Sequence, residues 1–311
     1  MYRNILIPLD GSALAEQAIP YARALAGPSG SCLMLLRTAE NRRPRPSSDT
    51  PQVDAVQEAQ AYLSSIGERL AHAEAPVEEH MYRGDAAEAI REAVSKLGAD
   101  VVAMASHSRS GLARAMYGSV AERLLARSPV PVLLVPARNR RSWPAYGHPV
   151  VVTLDGSLLA EAALQPALDL SWTLRLPLQL LRVVDPPDPS YLGYASPDYL
   201  PADVRALLGA AKAYLDAVAS RLPHVAAGVT VQAAIGDPQR TLADLVARQR
   251  AAAVVMATHA RAGISRLLAG SATINLIRQA TMPVLVVTPM AGTTPHAEQP
   301  EHSLMTAADL T

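Results

Sequence analysis

The sequence contains no phenylalanine and only 4% aromatic residues, so its hydrophobic cores must be packed by aliphatic side chains. Its single cysteine excludes an internal disulfide, and because Cys32 opens the apolar stretch Cys32–Leu36, we expect a buried small side chain rather than a reactive thiol. Basic and acidic residues number 28 each, so no overall field attracts nucleic acid or an anionic membrane. No apolar run approaches the ~18 residues of a membrane span, and the first residues turn polar too soon for a signal peptide. We therefore expect a cytoplasmic protein with no nucleic-acid or membrane partner.

Several motifs that build nucleotide and metal sites are also absent. There is no G-x-x-x-x-G-K-[ST] loop, no G-x-G-x-x-G fingerprint and no cysteine cluster. No two histidines have helical H-x-x-x-H spacing, and the matched pair His107 and His259 is interpreted as solvated loop residues. A metal site built by the protein is not expected, and any Mg²⁺ would arrive with phosphates.

What the sequence does contain is an internal repeat. The stretch Ser106–Glu122, SHSRSGLARAMYGSVAE, returns at Thr258–Ile274 as THARAGISRLLAGSATI, 152 positions on (270 − 118 = 152). Earlier in each copy the offset is 145 (155 − 10 = 145), so about seven residues were added between, in the stretch 185–201 or around the helix after it. A length of 311 residues suits two domains of roughly 150 residues each. We predict a first domain at 1–137, a linker at 138–148, a second domain at 149–289 and a flexible tail at 290–311.

Hydrophobic runs and helical spacing alternate through each copy. In the first copy they predict the strands Asn4–Leu9, Cys32–Leu36, Val77–Tyr82, Asp100–Ala105 and Val130–Val135, and the helices Ala13–Ala26, Val53–Ala71, 84–97 and Ser119–Arg127. This order predicts an α/β fold: two tandem, open, doubly wound parallel sheets of about five strands each, flavodoxin/Rossmann-like.

An Asp-Gly-Ser sequence follows the first strand of each copy. A carboxylate at the end of such a strand, Asp10 or Asp155, can accept hydrogen bonds from a ribose. The same motif could instead only turn the chain and cap the next helix, with Ser12 or Ser157 at the cap. Both interpretations remain open at this point, since one motif can do both.

A Gly-Ser pair precedes a later helix in each copy. Free backbone N–H groups and the positive end of the helix dipole at Gly118–Ser119 or Gly270–Ser271 would favour a phosphate. In the first copy, however, Ser119 and Glu122 form an S-x-x-E capping box, which would satisfy those N–H groups with protein atoms. The second copy has Ile274 in place of the glutamate, so we expect it to be the better phosphate site.

Taken together, these stretches resemble a tandem universal stress protein over roughly residues 3–136 and 149–288. The resemblance is carried by ILIPLDGSALAEQAIPYA and VVVTLDGSLLAEAALQPA, by GDAAEAI and GDPQRTL, and by VVAMASHSRSGLARAMYGSVAERLLARSPVPVLLVP with its partner AVVMATHARAGISRLLAGSATINLIRQATMPVLVVTP. It implies an open α/β sheet and, as in many members, ATP binding by a protein that is not evidently an enzyme.

Members of that family that bind ATP carry G-x-x-G, nine residues and then G-[ST]. The resemblance implies that the aspartates contact ribose, that Thr38 and Val183 lie near adenine, and that the Gly-Ser pairs hold phosphates. The spacing is kept, but alanine or serine replaces both leading glycines in each copy. If those glycines serve for positive φ or for close approach of the ligand to the backbone, the replacement is strained or occludes the ligand, at an expected cost of order 1 kcal/mol or more each. The implied nucleotide-binding residues are Asp10, Thr38, Ala105, Ser108, Gly118, Ser119, Val120, Asp155, Val183, Ala257, Ala260, Gly270 and Ser271.

Three functions are therefore weighed. The first is a non-catalytic, stress-response sensor that binds ATP, with or without Mg²⁺, in one or both domains. The second is a nucleotide-independent regulatory protein whose motifs have degenerated, and the third is a slow ATP hydrolase, which lacks an evident general base. The apolar last strands, PVPVLLVP and MPVLVVTP, are expected to pair in an internal pseudo-dimer, as in this family, and whole chains could pair further as a homodimer.

Overall fold

A computed structural model describes residues 2–27, 30–39, 51–71, 75–106, 118–137, 143–186, 201–258 and 271–289. The described strands are β1 Asn4–Leu9, β2 Cys32–Ala39, β3 Val77–Arg83, β4 Val101–Ser106, β5 Val132–Pro136, β6 Val150–Thr153, β7 Leu178–Val184, β8 Val229–Ile235, β9 Ala253–Ala257 and β10 Val284–Val287. The described α-helices are α1 Ile19–Ala26, α2 Pro51–Leu70, α3 Ala86–Leu97, α4 Ser119–Leu125, α5 Leu158–Glu161, α6 Leu164–Leu174, α7 Ala202–Arg221, α8 Pro238–Arg248 and α9 Ser271–Gln279. The alternation of strands and helices predicted from the sequence is thus confirmed.

All ten strands form one continuous sheet in the order β3-β2-β1-β4-β5-β10-β9-β6-β7-β8. Neighbouring strands are parallel within each half, and among the described strands only β5 and β10 pair antiparallel. The last strands of the two copies therefore pair with each other, as the sequence led us to expect. In each half, the second and third strands lie on one side of the first strand, and the fourth and fifth strands lie on the other side. The switch point of each half is therefore between its first and fourth strands.

The central strands of the sheet are buried on both faces because they are almost continuously apolar, whereas the edge strands β3 and β8 are half-buried or exposed. Successive residues of β1 illustrate this: Ile5 and Ile7 belong to one hydrophobic cluster, and Leu6 belongs to the cluster on the opposite face. Both clusters include residues of both copies; Leu133 and Leu285, for instance, share one of them. The two halves are therefore packed as one core across the β5–β10 junction.

Helix and strand ends differ from the prediction at a few points. The single helix predicted at Ala13–Ala26 is a 3-10 helix at Ala15–Ala18 followed by α1, whose first turn contains Pro20. Proline is favoured at a helix start and cannot donate the backbone hydrogen bond that a continuous helix needs there. The second copy divides the same region into α5 and α6.

The predicted linker is described from Trp143 onwards and is attached to both copies. The Trp143 ring lies 5.0 Å from the Tyr21 ring of α1, centroid to centroid, and its indole Nε1–H donates to the Ala252 carbonyl at 2.9 Å. The predicted tail at 290–311 lies outside the described residues, as does most of the stretch predicted to hold the seven added residues. Among the helices that are described, none is long and apolar enough to cross a membrane.

Candidate functional site

The turn after β1 is held by its own side chains. The Asp10 carboxylate accepts a hydrogen bond from the Ser12 N–H at 2.9 Å, and the Ser12 hydroxyl accepts one from the Ala15 N–H at 3.1 Å. Gly11 between them has φ +85°, a conformation that side chains disfavour. The turn-and-cap interpretation of this motif is therefore observed, while Asp10 remains an exposed residue at the end of a buried strand.

The second copy repeats this turn in detail. Asp155 accepts from the Ser157 N–H at 2.8 Å, Ser157 caps α5 by accepting from the Ala160 N–H at 3.1 Å, and Gly156 has φ +96°. Asp155 is likewise exposed. Because the two turns match bond for bond, the chain presents the same carboxylate geometry twice.

Four of the other sequence-predicted residues lie on the strands beside these turns. In the first copy β1 lies between β2, which carries Thr38, and β4, which carries Ala105. In the second copy β6 lies between β7, with Val183, and β9, with Ala257. The carboxyl ends of these strands meet at the switch point of each half, where open α/β sheets bind ligands.

The alanines at the expected glycine positions are not strained. Ala105 pairs in register with Val135 inside β4, and Ala257 is the last residue of β9. Among the described residues, the only ones other than glycine with positive φ are Arg175 and Arg250. Positive φ is therefore not required at these two positions, because a regular strand conformation needs no glycine.

The capping box predicted for the first copy is also wrong. Gly118, with φ +87°, is the N-cap of α4, and no side chain caps the helix at that position. Ser119 is already the first helical residue, so its hydroxyl is one position too late to act as the cap. The backbone N–H of Glu122 donates instead to the Gly118 carbonyl at 3.0 Å, as in an ordinary helical turn.

The two copies nevertheless differ in charge at this helix start. Glu122 lies in the first turn of α4, whereas the first turn of α9 contains no acidic residue and has Ile274 at the matching position. A carboxylate there opposes a bound anion, because it occupies the positive end of the helix dipole. The second copy remains the better candidate for phosphate, for a different reason from the one expected.

Several predicted positions lie outside the described residues, namely Ser108, Ala260, Gly270, His107 and His259. Two further predicted residues lie at helix starts. Val120 is the second residue of α4 and is half-buried, and Ser271 is the first residue of α9. Within the described parts of the chain, no three histidine, cysteine or acidic side chains cluster closely enough to hold a metal ion.

Sequence reasoning missed two arginines at the site, Arg37 of β2 and Arg182 of β7. Each guanidinium lies against the glycine of its neighbouring Asp-Gly-Ser turn: a Cβ added to Gly11 would lie 2.8 Å from an Arg37 nitrogen, and one added to Gly156 would lie 2.9 Å from an Arg182 nitrogen. The available signal was a short repeat, Leu35-Leu36-Arg37 and Leu180-Leu181-Arg182, but the repeat does not indicate where the arginine side chain lies.

Comparison with known proteins identifies the family. The model of the universal stress protein family matches residues 1–136 and again residues 147–288. The chain belongs to the universal stress protein family. It is thus a tandem two-domain member, with the α/β fold expected from its sequence.

Individual relatives agree with this assignment. A universal stress protein of Mycobacterium tuberculosis is 29% identical over 188 residues, which are 60% of this chain and 61% of that protein. One from Methanocaldococcus jannaschii is 25% identical over 158 residues, 45% of this chain and 98% of that protein. The match thus spans about six tenths of the length of the mycobacterial relative.

Solved structures support the fold. The crystal structure of a universal stress protein from Archaeoglobus fulgidus has a TM-score of 0.69 at 19% identity, covering 92% of this chain and 96% of that one. A protein from Pseudomonas aeruginosa, described as functionally unknown, has a TM-score of 0.66 at 17% identity, with 93% of each chain covered. The likeness extends over both domains and therefore concerns the tandem arrangement as well as the single domain.

Proposed function

We propose that this universal stress protein is a non-catalytic sensor that binds an adenine nucleotide, ATP with or without Mg²⁺, and that its second domain is the stronger site. The observation that carries the proposal is the duplicated arrangement at the two switch points. In each copy an exposed aspartate, a residue of the second strand and an unstrained alanine of the fourth strand lie on adjacent strands. Such a crevice suits a nucleoside, with the carboxylate accepting from ribose hydroxyls.

The phosphates would be held by backbone N–H groups rather than by a lysine. Helix α9 begins at Ser271 and has no acidic residue in its first turn, so its N-terminus favours an anion. No P-loop lysine is present in the sequence, which supports binding without rapid hydrolysis. We therefore treat any ATP hydrolysis as slow and secondary.

The test is a calorimetric titration of the purified chain with ATP and Mg²⁺, alongside Asp155→Ala and Asp10→Ala. We expect saturable binding in the natural chain, weakened roughly tenfold or more at the affected site, because hydrogen bonds to a charged group are lost. Asp155→Ala should have the larger effect. Absence of heat at millimolar ATP would refute the proposal.

One observation favours the alternative of a nucleotide-independent interaction protein. Leu158, two residues beyond the Asp155–Gly156 turn, is 85% exposed, and Tyr146 is 74% exposed. Exposed apolar side chains near a loop can serve as contacts for another protein. Heating the purified chain and analysing the supernatant by chromatography separates the two functions, since a released adenine nucleotide favours the sensor and argues against the alternative.

A further inference from the structure

A second set of side chains is duplicated beside the proposed ribose site. In the first copy, the guanidinium carbon of Arg37 lies 4.6 Å from the centroid of the Tyr62 ring. The Tyr62 hydroxyl donates to Glu16 at 3.1 Å, and the other oxygen of Glu16 accepts from Arg69 at 2.6 Å. These contacts connect the end of β2 with helix α2 and with the 3-10 helix that follows the Asp10 turn.

The second copy contains the same four residue types in the same contacts. Arg182 lies 5.0 Å from the Tyr214 ring centroid, Tyr214 donates to Glu161 at 2.9 Å, and Arg221 donates to the other oxygen of Glu161 at 3.1 Å. The offsets follow the repeat, 145 for the first arginine and the glutamate (182 − 37 = 145) and 152 for the tyrosine and the second arginine (214 − 62 = 152). The same contacts are therefore made in both copies, although the seven-residue insertion lies between Arg182 and Tyr214.

Each guanidinium also lies close to the Asp-Gly-Ser turn of its copy. Space at Gly11 and Gly156 is limited by Arg37 and Arg182, since an added Cβ would approach guanidinium atoms to about 3 Å or less. Glycine is favoured at this position by its positive φ. A planar guanidinium can pack against both an aromatic ring and a backbone turn, which a lysine ammonium cannot do equally well.

Stability alone does not account for this arrangement. Arg69 and Arg221 are 59% and 61% exposed, so their ion pairs with Glu16 and Glu161 contribute little to folding. In each copy these four side chains instead fix the position of the turn that carries the aspartate, because the guanidinium packs against the glycine directly after that aspartate. Orientation of one carboxylate is what a ribose site needs.

We propose that Arg37 and Arg182 are positioning residues, each clamping the Asp-Gly-Ser turn of its copy so that Asp10 or Asp155 stays oriented toward the ribose hydroxyls of a bound nucleotide. The inference rests on the proposed function. It adds that selectivity for ribose depends on a side chain that does not itself contact the ligand.

The experiment compares ATP with 2′,3′-dideoxy-ATP, which has the same base and triphosphate but lacks both hydroxyls. The natural chain should prefer ATP by roughly tenfold or more, the worth of a hydrogen bond to a carboxylate. In the double variant Arg37→Met/Arg182→Met we expect the preference for ATP over 2′,3′-dideoxy-ATP to be no more than about threefold, mostly because ATP binds more weakly. Arg37→Lys/Arg182→Lys should behave like the methionine variant, because charge without the planar group does not clamp the turn.

Amide hydrogen exchange gives a second readout without nucleotide. The Ser12 and Ser157 N–H groups donate to the two aspartates, so their exchange should accelerate when the arginines are removed. The matched control is Arg91→Met on α3, whose partner is Glu88 in another part of the first domain. It should leave both the ATP preference and the exchange unchanged.

Each failure gives a distinct result. If the double variant weakens both nucleotides equally and exchange at Ser12 and Ser157 is unchanged, the arginines are merely structural and the inference is overturned. If the natural chain binds neither nucleotide, the proposed function itself fails and the inference fails with it. Should the double variant not fold, the single variants Arg37→Met and Arg182→Met, each with one copy intact, decide the same question.

Discussion

Leu133 of β5 and Leu285 of β10 are paired directly across the antiparallel junction between the two copies, and neither side chain is exposed to solvent. They belong to one hydrophobic cluster that extends into both halves of the sheet. The junction is therefore part of the core rather than a contact between two finished domains. Unfolding of one copy would expose the edge strand and the core of the other.

We predict that Leu133→Ala and Leu285→Ala each lower the free energy of unfolding by about 2–5 kcal/mol, the range for leucine truncation in a packed core. Because the two side chains are neighbours, the double variant should deviate from additivity by about 0.5–3 kcal/mol. Urea denaturation followed by circular dichroism measures all three values. Leu178→Ala combined with Leu133→Ala is the control, since β7 lies four strands from β5, about 19 Å, and these effects should add.

Trp143 makes a second, smaller connection between the copies through its contacts with Tyr21 and the Ala252 carbonyl. Replacing it with phenylalanine keeps an aromatic ring but removes the N–H donor, so we expect a loss of about 1 kcal/mol. Trp143→Ala should cost more, because it also removes an aromatic pair worth about 0.5–1.5 kcal/mol. Equal unfolding midpoints for the two variants would contradict this account.

The Asp-Gly-Ser turns show what a local pattern can predict. Ser12 caps the segment after Asp10 as expected, because a cap and a tight turn depend on residues only two or three positions apart. The pairing of the last strands was expected from the family resemblance, and the rule that apolar edge strands require cover agrees with it. Of these two predictions, the turn and cap used a rule that depends only on residues close in sequence.

Other features depend on contacts that sequence spacing does not encode. The S-x-x-E pattern at Ser119 suggested a capping box. In the structure Gly118, with positive φ, is the N-cap, and Ser119 is already inside the helix. The hydrogen bond between Tyr62 and Glu16 joins residues 46 positions apart on different elements, and it became visible only once the sheet order was known. For the same reason the sequence did not indicate that Arg37 and Arg182 pack against these tyrosines.

Cys32 was expected to be buried, and it is instead half-buried at the first residue of β2. Burial is the main cause that raises the pKa of its thiol to about 11, and the nearby Glu78 carboxylate adds to it. A free cysteine has a pKa of about 8.5, so alkylation of the folded chain between pH 8 and 9 should be much slower than after unfolding in urea. Iodoacetamide rates measured across that range test this, and Glu78→Gln should increase the rate in the folded chain only.

Tyr62 and Tyr214 provide a stability prediction with a defined sign. Burial, and then interaction with Glu16 and Glu161, raises the pKa of each hydroxyl above the ordinary value of 10.0. The unfolded chain therefore releases these protons first as pH rises, so their stabilisation is complete below about pH 10 and declines above it. Tyr62→Phe should lower the free energy of unfolding by about 1 kcal/mol at pH 7, and this difference should shrink by pH 11.

Urea unfolding of the natural chain, Tyr62→Phe and Tyr214→Phe at pH 7, 9, 10 and 11 measures the effect. Tyr146→Phe is the matched control, because the Tyr146 side chain is 74% exposed and removing its hydroxyl breaks no buried contact. A difference between the natural chain and Tyr62→Phe that stays constant or grows from pH 9 to pH 11 contradicts the prediction. Agreement in both copies would show that the duplicated tyrosine hydroxyls remain protonated while donating to their glutamates.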